Sequence, residues 1–89
     1  MKIVILQTAL KQGLSKNDIA YALRHVQKSR TVKKGGNINK EVEYVLGILP
    51  NGNPCELATT FSFDEQSVVV FHAFTPPTKG FLKTLEGRL

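Results

Sequence analysis

Cysteine is nearly absent from this sequence. Cys55 is the only cysteine among 89 residues, so the chain can form neither an intrachain disulfide nor a zinc site built from cysteines. Because structural disulfides are typical of oxidising compartments, a single thiol favours a reducing one. We therefore expect a cytoplasmic protein.

Long hydrophobic runs are missing as well. The longest are Ile3 to Leu6 and Val68 to Phe71, far short of the roughly 18 apolar residues that a transmembrane helix needs. The first residues also lack the apolar core of a signal peptide. No pair of acidic residues has an obvious metal-binding spacing, and no repeat or heptad pattern occurs. These absences argue against membrane insertion, secretion and metal catalysis, and we expect no cofactor.

Acidic residues are few relative to basic ones. The chain has twelve Lys and Arg residues but only seven Asp and Glu residues, which gives a formal net charge of +5. Such an excess favours polyanions or an acidic protein partner. The content of 42% apolar and 21% charged residues is typical of a folded protein. A chain of this length predicts a single domain over residues 1–89.

The segment from Leu14 to Lys28 has the pattern of an amphipathic helix. Ser15 suits the N-cap, and Asp18 suits the third position of the first turn. Before it, KIVIL predicts a strand or extended arm, and TALKQG predicts a short helix that stops at Gly13. The apolar stripe of the longer helix consists of Ile19, Ala22, Leu23 and Val26, with Tyr21, Arg24 and Lys28 on the opposite face and His25 at the flank.

The rest of the chain predicts strands. A basic strand and loop lead through Gly35-Gly36 into EVEYVLGIL, CELATTFSF and SVVVFHAF, which are separated by the turn sequences PNGNP and DEQS. Turns this short make the last three strands antiparallel neighbours. The C-terminal segment predicts a short helix with Phe81, Leu82 and Leu85 inward and Lys79, Lys83 and Glu86 outward. We expect an α+β domain in which two N-terminal helices pack on a three- to four-stranded antiparallel sheet, followed by a short C-terminal helix.

Three stretches resemble a known family of toxins. They are ALKQGLSKNDIAYAL, YVLGILPNGNPCELATTFSF, and VVVFHAF with the Lys-containing helix after it. Together they resemble the BrnT-like branch of the RelE-like superfamily, the toxins of bacterial type II toxin-antitoxin systems. The sequence departs from that family at Gln12, where histidine is frequent, and at Phe74 and Thr75, where arginines are frequent.

The resemblance implies a RelE-like fold and an activity. Such toxins cleave messenger RNA without a metal, on or off the ribosome, and a cognate antitoxin protein neutralises them. DNA would be contacted only through the antitoxin complex. Cleavage of this kind requires removal of a proton from the 2′-OH, neutralisation of the phosphorane charge and protonation of the leaving oxygen. Imidazole suits the proton transfers, and Lys and Arg suit the charge.

The predicted site combines catalytic and RNA-binding residues. We predict His72, Lys79 and Lys83 as the catalytic residues. The predicted RNA-binding residues are Arg24, Lys28, Arg30, Lys33 and Lys34, with no metal ligand.

Two questions stay open in the sequence. Alternation along the last strand places Val68, Val70, His72 and Phe74 on one face, yet both faces are apolar, so His72 is either a core residue or a functional one. Lys79 and Lys83 are likewise either catalytic or part of a solvated helix face. The alternative function is a non-catalytic nucleic-acid- or protein-binding module, including a degenerate toxin that only binds its antitoxin.

Overall fold

One mixed five-stranded sheet organises the chain. The computed structural model describes residues 2–33 and 41–87. In chain order the elements are β1 (Lys2–Ile5), a 3-10 turn (Gln7–Leu10), α1 (Lys16–Arg24), β2 (Val26–Lys33), β3 (Glu41–Ile48), β4 (Pro54–Ser62), β5 (Ser67–Phe74) and α2 (Lys79–Leu85). The strand order is β1-β5-β4-β3-β2. β1 runs parallel to β5, and the other neighbours are antiparallel.

The predicted architecture, two N-terminal helices on a three- to four-stranded antiparallel sheet in a RelE-like arrangement, is wrong. The chain begins with a strand that joins the sheet beside β5 and makes the sheet mixed and five-stranded. The first predicted helix is only the 3-10 turn, and the second ends at Arg24 rather than Lys28. The physical reason is long-range pairing, because Val26 and Lys28 already belong to β2 and pair with Gly47 and Leu46 of β3.

Helix α1 covers one face of the sheet. The Ser15 hydroxyl accepts a hydrogen bond from the Asp18 N–H, as the N-cap pattern predicts. Ile19 and Ala22 point into the core and are fully buried. Gly47 permits this close approach, because a Cβ at that position would lie 2.5 Å from the Ala22 carbonyl oxygen. The core consists of Ala9, Ile19, Ala22, Val45, Leu49, Cys55, Leu57, Val70 and Ala73.

Helix α2 lies on the opposite face. Its N-cap is Thr78, whose hydroxyl accepts from the Phe81 N–H. Phe81 and Leu85 are buried, and the Phe81 ring lies 5.5 Å from the ring of Tyr44 on β3. The prediction that Leu82 points inward is wrong, since its side chain is exposed. Neither α-helix within residues 2–33 and 41–87 has the length and hydropathy needed to cross a membrane.

A β-bulge at Phe71 changes which residues of β5 share a face. Ala58 pairs with His72, but the next residue, Thr59, pairs with Val70, so Phe71 is an extra residue on β5. Val70 and Ala73 therefore both belong to the core beneath α1, and His72 lies on the α2 side. The predicted alternation, which grouped His72 with Val70, is wrong for this reason.

Candidate functional site

A cleft of about 350 Å³ opens between α2 and the sheet. Strands β3, β4 and β5 form its floor, and the first turns of α2 form one wall. The lining residues are Tyr44, Glu56, Ala58, Phe71, His72, Thr78, Gly80, Phe81 and Thr84. The small side chain of Ala58 leaves room over the centre of the floor, between Tyr44 on one side and His72 on the other.

Glu56 is the buried acid of this cleft. Only 5% of the residue is exposed, and it stands on β4 between Cys55 and Leu57, which point into the core on the other face. Its carboxylate accepts three hydrogen bonds. Oε2 lies 2.7 Å from the His72 ring, while Oε1 accepts from the Thr78 N–H at 2.7 Å and from the Thr78 hydroxyl at 3.0 Å. These bonds compensate the cost of burying a charged group.

His72 is the solvent-exposed member of this pair. Its side chain is 44% exposed, against 7% for the side chain of Glu56. The carboxylate contacts the Nε2 atom, and since a carboxylate only accepts, Nε2 carries the proton of this hydrogen bond. In the neutral ring the unprotonated nitrogen is then Nδ1. His72 thus combines a fixed ring orientation with a nitrogen that can take up a proton.

Thr78 connects the acid to the helix. Its hydroxyl donates to Glu56 and at the same time accepts from the Phe81 N–H, so one side chain both caps α2 and holds the carboxylate. A continuous chain of hydrogen bonds therefore runs from the first turn of α2 through Thr78 and Glu56 to His72. Such a connected set keeps the ring in one place without help from a ligand.

Basic side chains extend the site across the sheet. Arg30, Tyr44, Ala58 and His72 are successive partners on β2, β3, β4 and β5, so they share one face. Four neighbouring strands place Arg30 and His72 roughly 14 Å apart. The guanidinium of Arg30 lies against Gly87, just beyond α2. Lys28 belongs to the adjacent row, with Leu46 and Glu56, and it is exposed.

Of the other predicted site residues, Lys79, Lys83 and Arg24 lie outside the lining of the His72 cleft. Lys79 and Lys83 are exposed on α2 and do not line the cleft. Arg24 ends α1, on the other face of the sheet. Lys33 ends β2, and Lys34, like the predicted bend at Gly35-Gly36, lies outside the described residues.

The second histidine has a different environment. His25 follows α1 directly, where its Nδ1 atom contacts the Tyr21 carbonyl oxygen at 2.8 Å. The two rings stack with their centroids 3.9 Å apart. Its contact is with the end of its own helix, and His25 is exposed, which agrees with its predicted position beside the apolar stripe.

The sequence predictions missed Glu56, Tyr44 and Thr78. A signal for Glu56 exists, because a lone acidic residue interrupts an otherwise apolar strand, CELAT, and buried acids need partners. Thr78 precedes a helical segment and has the side chain of an N-cap. Tyr44 has no signal of its own, since its position opposite Ala58 depends on the pairing register.

Cys55 is adjacent to Glu56 in sequence but not part of the cleft. It is fully buried in the core on the α1 side. Burial raises the pKa of the Cys55 thiol from its ordinary value of 9.0 to about 11, against the opposing effect of a backbone hydrogen bond from Phe74. The thiol stays protonated near neutral pH and is a poor nucleophile. Cys55 therefore contributes no reactive group to the cleft, which is lined by His72, Glu56 and Tyr44.

Residues 2–33 and 41–87 bring together no group of three or more His, Cys, Asp or Glu side chains that could hold a metal ion. No protein-family model, curated protein or solved structure matches the chain. The geometry of the cleft is therefore the basis from which a function can be inferred.

Proposed function

We propose that this protein is an endoribonuclease that cleaves single-stranded RNA with its own side chains, His72 being the proton-transfer group and Glu56 its positioning partner. One observation carries the proposal. A half-exposed imidazole is held at 2.7 Å by a buried carboxylate whose remaining oxygen is fixed by Thr78. An oriented histidine whose side chain is partly exposed in a cleft suits general acid-base catalysis.

The reaction follows from the free nitrogen of His72. Nδ1 takes the proton of a ribose 2′-OH as the O2′ atom bonds to the adjacent phosphorus. The bond from phosphorus to O5′ breaks, which leaves a 2′,3′-cyclic phosphate on one fragment and a 5′-OH on the other. Glu56 stabilises the imidazolium that forms and keeps the ring from rotating. Without the 2′-OH there is no nucleophile, so DNA is not a substrate.

Tyr44 is our candidate for the second proton transfer. It lines the same cleft two strands away from His72, a backbone separation of about 10 Å. A phosphate over Ala58 lies between the two side chains, with room for the attacking oxygen on the His72 side and the leaving oxygen on the Tyr44 side. The Tyr44 hydroxyl then supplies the proton that O5′ needs, and Arg30 and Lys28 attract the phosphates.

The biological setting of the proposal comes from the sequence. The resemblance to BrnT-like toxins favours a cytoplasmic toxin that acts on messenger RNA, on or off the ribosome, and that a cognate antitoxin protein neutralises. The net charge of +5 supports binding to RNA or to an acidic partner. Lys79 and Lys83 stay candidates for contacts with more distant phosphates rather than with the scissile one.

The test is cleavage of a labelled single-stranded RNA by the purified full chain in the presence of a chelator, with and without added ribosomes. We expect a 2′,3′-cyclic phosphate product. His72→Ala should lower the rate by about a hundredfold or more, and Glu56→Gln should lower it by a smaller factor. An oligonucleotide with 2′-deoxyribose throughout should stay intact.

The matched control is His25→Ala, which removes the other histidine at an exposed position outside the cleft. It should leave the rate unchanged, and circular dichroism of each variant checks that the chain is folded. The alternative, a non-catalytic nucleic-acid- or protein-binding module, predicts intact RNA in every reaction. Equal cleavage by the parent chain and His72→Ala, or no cleavage with ribosomes present, would overturn the proposal.

A further inference from the structure

Among the residues that the structure describes, strand β1 has a neighbour on one side only. It is the first strand in the sheet order and pairs with β5 alone. The backbone N–H groups of Lys2 and Leu6 donate to Gln66 and Val70 on the β5 side. Because successive residues of a strand direct their backbone groups to opposite sides, the N–H and C=O groups of Ile3 and Ile5 point to the open edge. The spacing of these groups matches that of alternate residues in an added strand, so they can form backbone hydrogen bonds with it.

Helix α1 turns this open edge into a groove. A cavity of about 600 Å³ runs between α1 and β1. It is lined by Lys2, Ile3, Val4, Ile5, Lys16, Asn17, Ala20 and Arg24. Its apolar part consists of β1 side chains and Ala20, so the groove can bury the side chains of an added strand as well as pair with its backbone.

The charged side chains of the groove are all basic. Lys2, Lys16 and Arg24 are exposed, and among the described residues none of the three makes an ion pair within 4.0 Å. Lys16 and Arg24 both line the groove and are eight residues apart on α1, or about 12 Å along the helix. In an extended chain this distance separates residues i and i+4, which point to the same side.

The geometry points to a binding site for an acidic, extended protein segment that adds to β1 as a sixth strand. Acidic side chains about four positions apart would face Lys16 and Arg24. A second copy of this chain is a poor occupant, because its own β1 begins with Lys2 and would bring cation against cation. The groove lies on the α1 side of the sheet and the His72 cleft on the α2 side, so this site does not depend on the proposed cleavage activity.

The probe for the test is a short synthetic peptide of alternating valine and threonine with two glutamates about four positions apart. Fluorescence anisotropy measures its binding to the full chain, and amide hydrogen exchange monitors Ile3 and Ile5. We expect saturable binding that slows exchange at these two amides. A peptide with lysines in place of the glutamates should bind at least about tenfold more weakly.

Two further comparisons separate strand addition from simple charge attraction. The double variant Lys16→Glu, Arg24→Glu should lose about tenfold in affinity, whereas the control Lys11→Glu, at an exposed position outside the groove, should bind as the parent does. N-methylation of alternate peptide residues should abolish binding, because it removes the backbone donors.

Three outcomes would overturn the inference. They are unchanged affinity of the N-methylated peptide, unprotected amides at Ile3 and Ile5, and displacement of the peptide from the groove by single-stranded RNA at equal concentration. The third would indicate an RNA surface instead of a protein one. The His72→Ala variant should bind the peptide normally, so a failure here is distinguishable from a failure of the cleavage proposal.

Discussion

The Nε2 atom of His72 lies 2.7 Å from Oε2 of Glu56, with the acid buried and the imidazole half in solvent. This asymmetry distinguishes the pair from a surface ion pair, where both partners are hydrated and the net contribution to stability is small. The buried Glu56 carboxylate is removed from water and is stabilised instead by three hydrogen-bond donors of the protein. One of these donors is the His72 ring, which faces the cleft. The stability of the sheet and the orientation of His72 are therefore coupled.

That coupling is measurable by a double-mutant cycle of His72→Ala and Glu56→Gln. Either single change should destabilise the protein, because each leaves a polar group without its partner. The free energies of unfolding of the parent, both single variants and the double variant, measured in urea, should give a coupling energy of about 1 to 3 kcal/mol. A coupling energy near zero would mean that the two side chains do not interact in solution.

Replacement of Thr78 tests the connection between α2 and the acid. Thr78→Val keeps the shape but removes the hydroxyl that caps Phe81 and donates to Glu56. We expect a loss of about 1 to 2 kcal/mol in the free energy of unfolding, together with slower RNA cleavage, because Glu56 and His72 lose a fixed support. Thr78→Ser keeps both hydrogen bonds and is the matched control. Equal stability of the two variants would contradict the capping role.

Gly47 should not tolerate a side chain. A Cβ there would lie 2.5 Å from the carbonyl oxygen of Ala22 and 3.0 Å from its Cβ, and since the nearest obstacle is backbone, α1 has to move. We expect Gly47→Ala to destabilise the protein by about 1 to 3 kcal/mol in thermal or urea unfolding. The control is Gly80→Ala, where no atom lies within 4 Å of an added Cβ; in helix α2 it should stabilise by about 0.4 to 1 kcal/mol.

The burial of Cys55 predicts a loss of stability at alkaline pH. Since burial raises the pKa of the thiol from 9.0 to about 11, between these values the unfolded chain has lost the proton and the folded chain keeps it. The unfolded state then binds fewer protons, so stability falls as pH rises. The stability advantage of the parent over Cys55→Ala should shrink by about 2 kcal/mol across this window. A constant difference from neutral pH upward would contradict the burial.

Ser67 offers a stabilising substitution. Its hydroxyl is buried, and within the described residues it has no hydrogen-bond partner. Replacing this side chain by a methyl group removes the cost of burying an unpaired hydroxyl, and it leaves no other polar group without a hydrogen-bond partner. We expect Ser67→Ala to raise the free energy of unfolding by about 0.5 to 1 kcal/mol, and calorimetry would detect the higher Tm. A lower Tm would indicate a hydrogen bond that this geometry does not contain.

Local sequence patterns predicted the parts of the fold that local physics controls. Ser15 caps α1 as predicted, and the turns at residues 50–53 and 63–66 join antiparallel neighbours. Phe81 and Leu85 point inward on α2. Each of these features depends on residues a few positions apart, and for that reason a single sequence is sufficient to find them.

Local patterns do not predict the features that depend on contacts between distant segments. Helical periodicity through Val26 was outweighed by its pairing with Gly47, and no local pattern indicates that β1 lies parallel to β5. The site had the same problem. The sequence indicates His72, but its partner Glu56 is 16 residues away in sequence, on the neighbouring strand. Only the pairing register of β4 and β5 makes the two side chains neighbours.

The bulge at Phe71 has a further consequence for how the site can change. The bulge shifts the alternation of side chains within β5. Val70, before the bulge, packs in the core beneath α1, and His72, after it, lines the cleft beneath α2. If residues 70–73 alternated regularly without the bulge, the imidazole would lie in the apolar layer beneath α1 and Ala73 would lie in the cleft, although neither side chain had been altered. The position of the imidazole is thus set by the backbone register of β5 as much as by the identity of its residues.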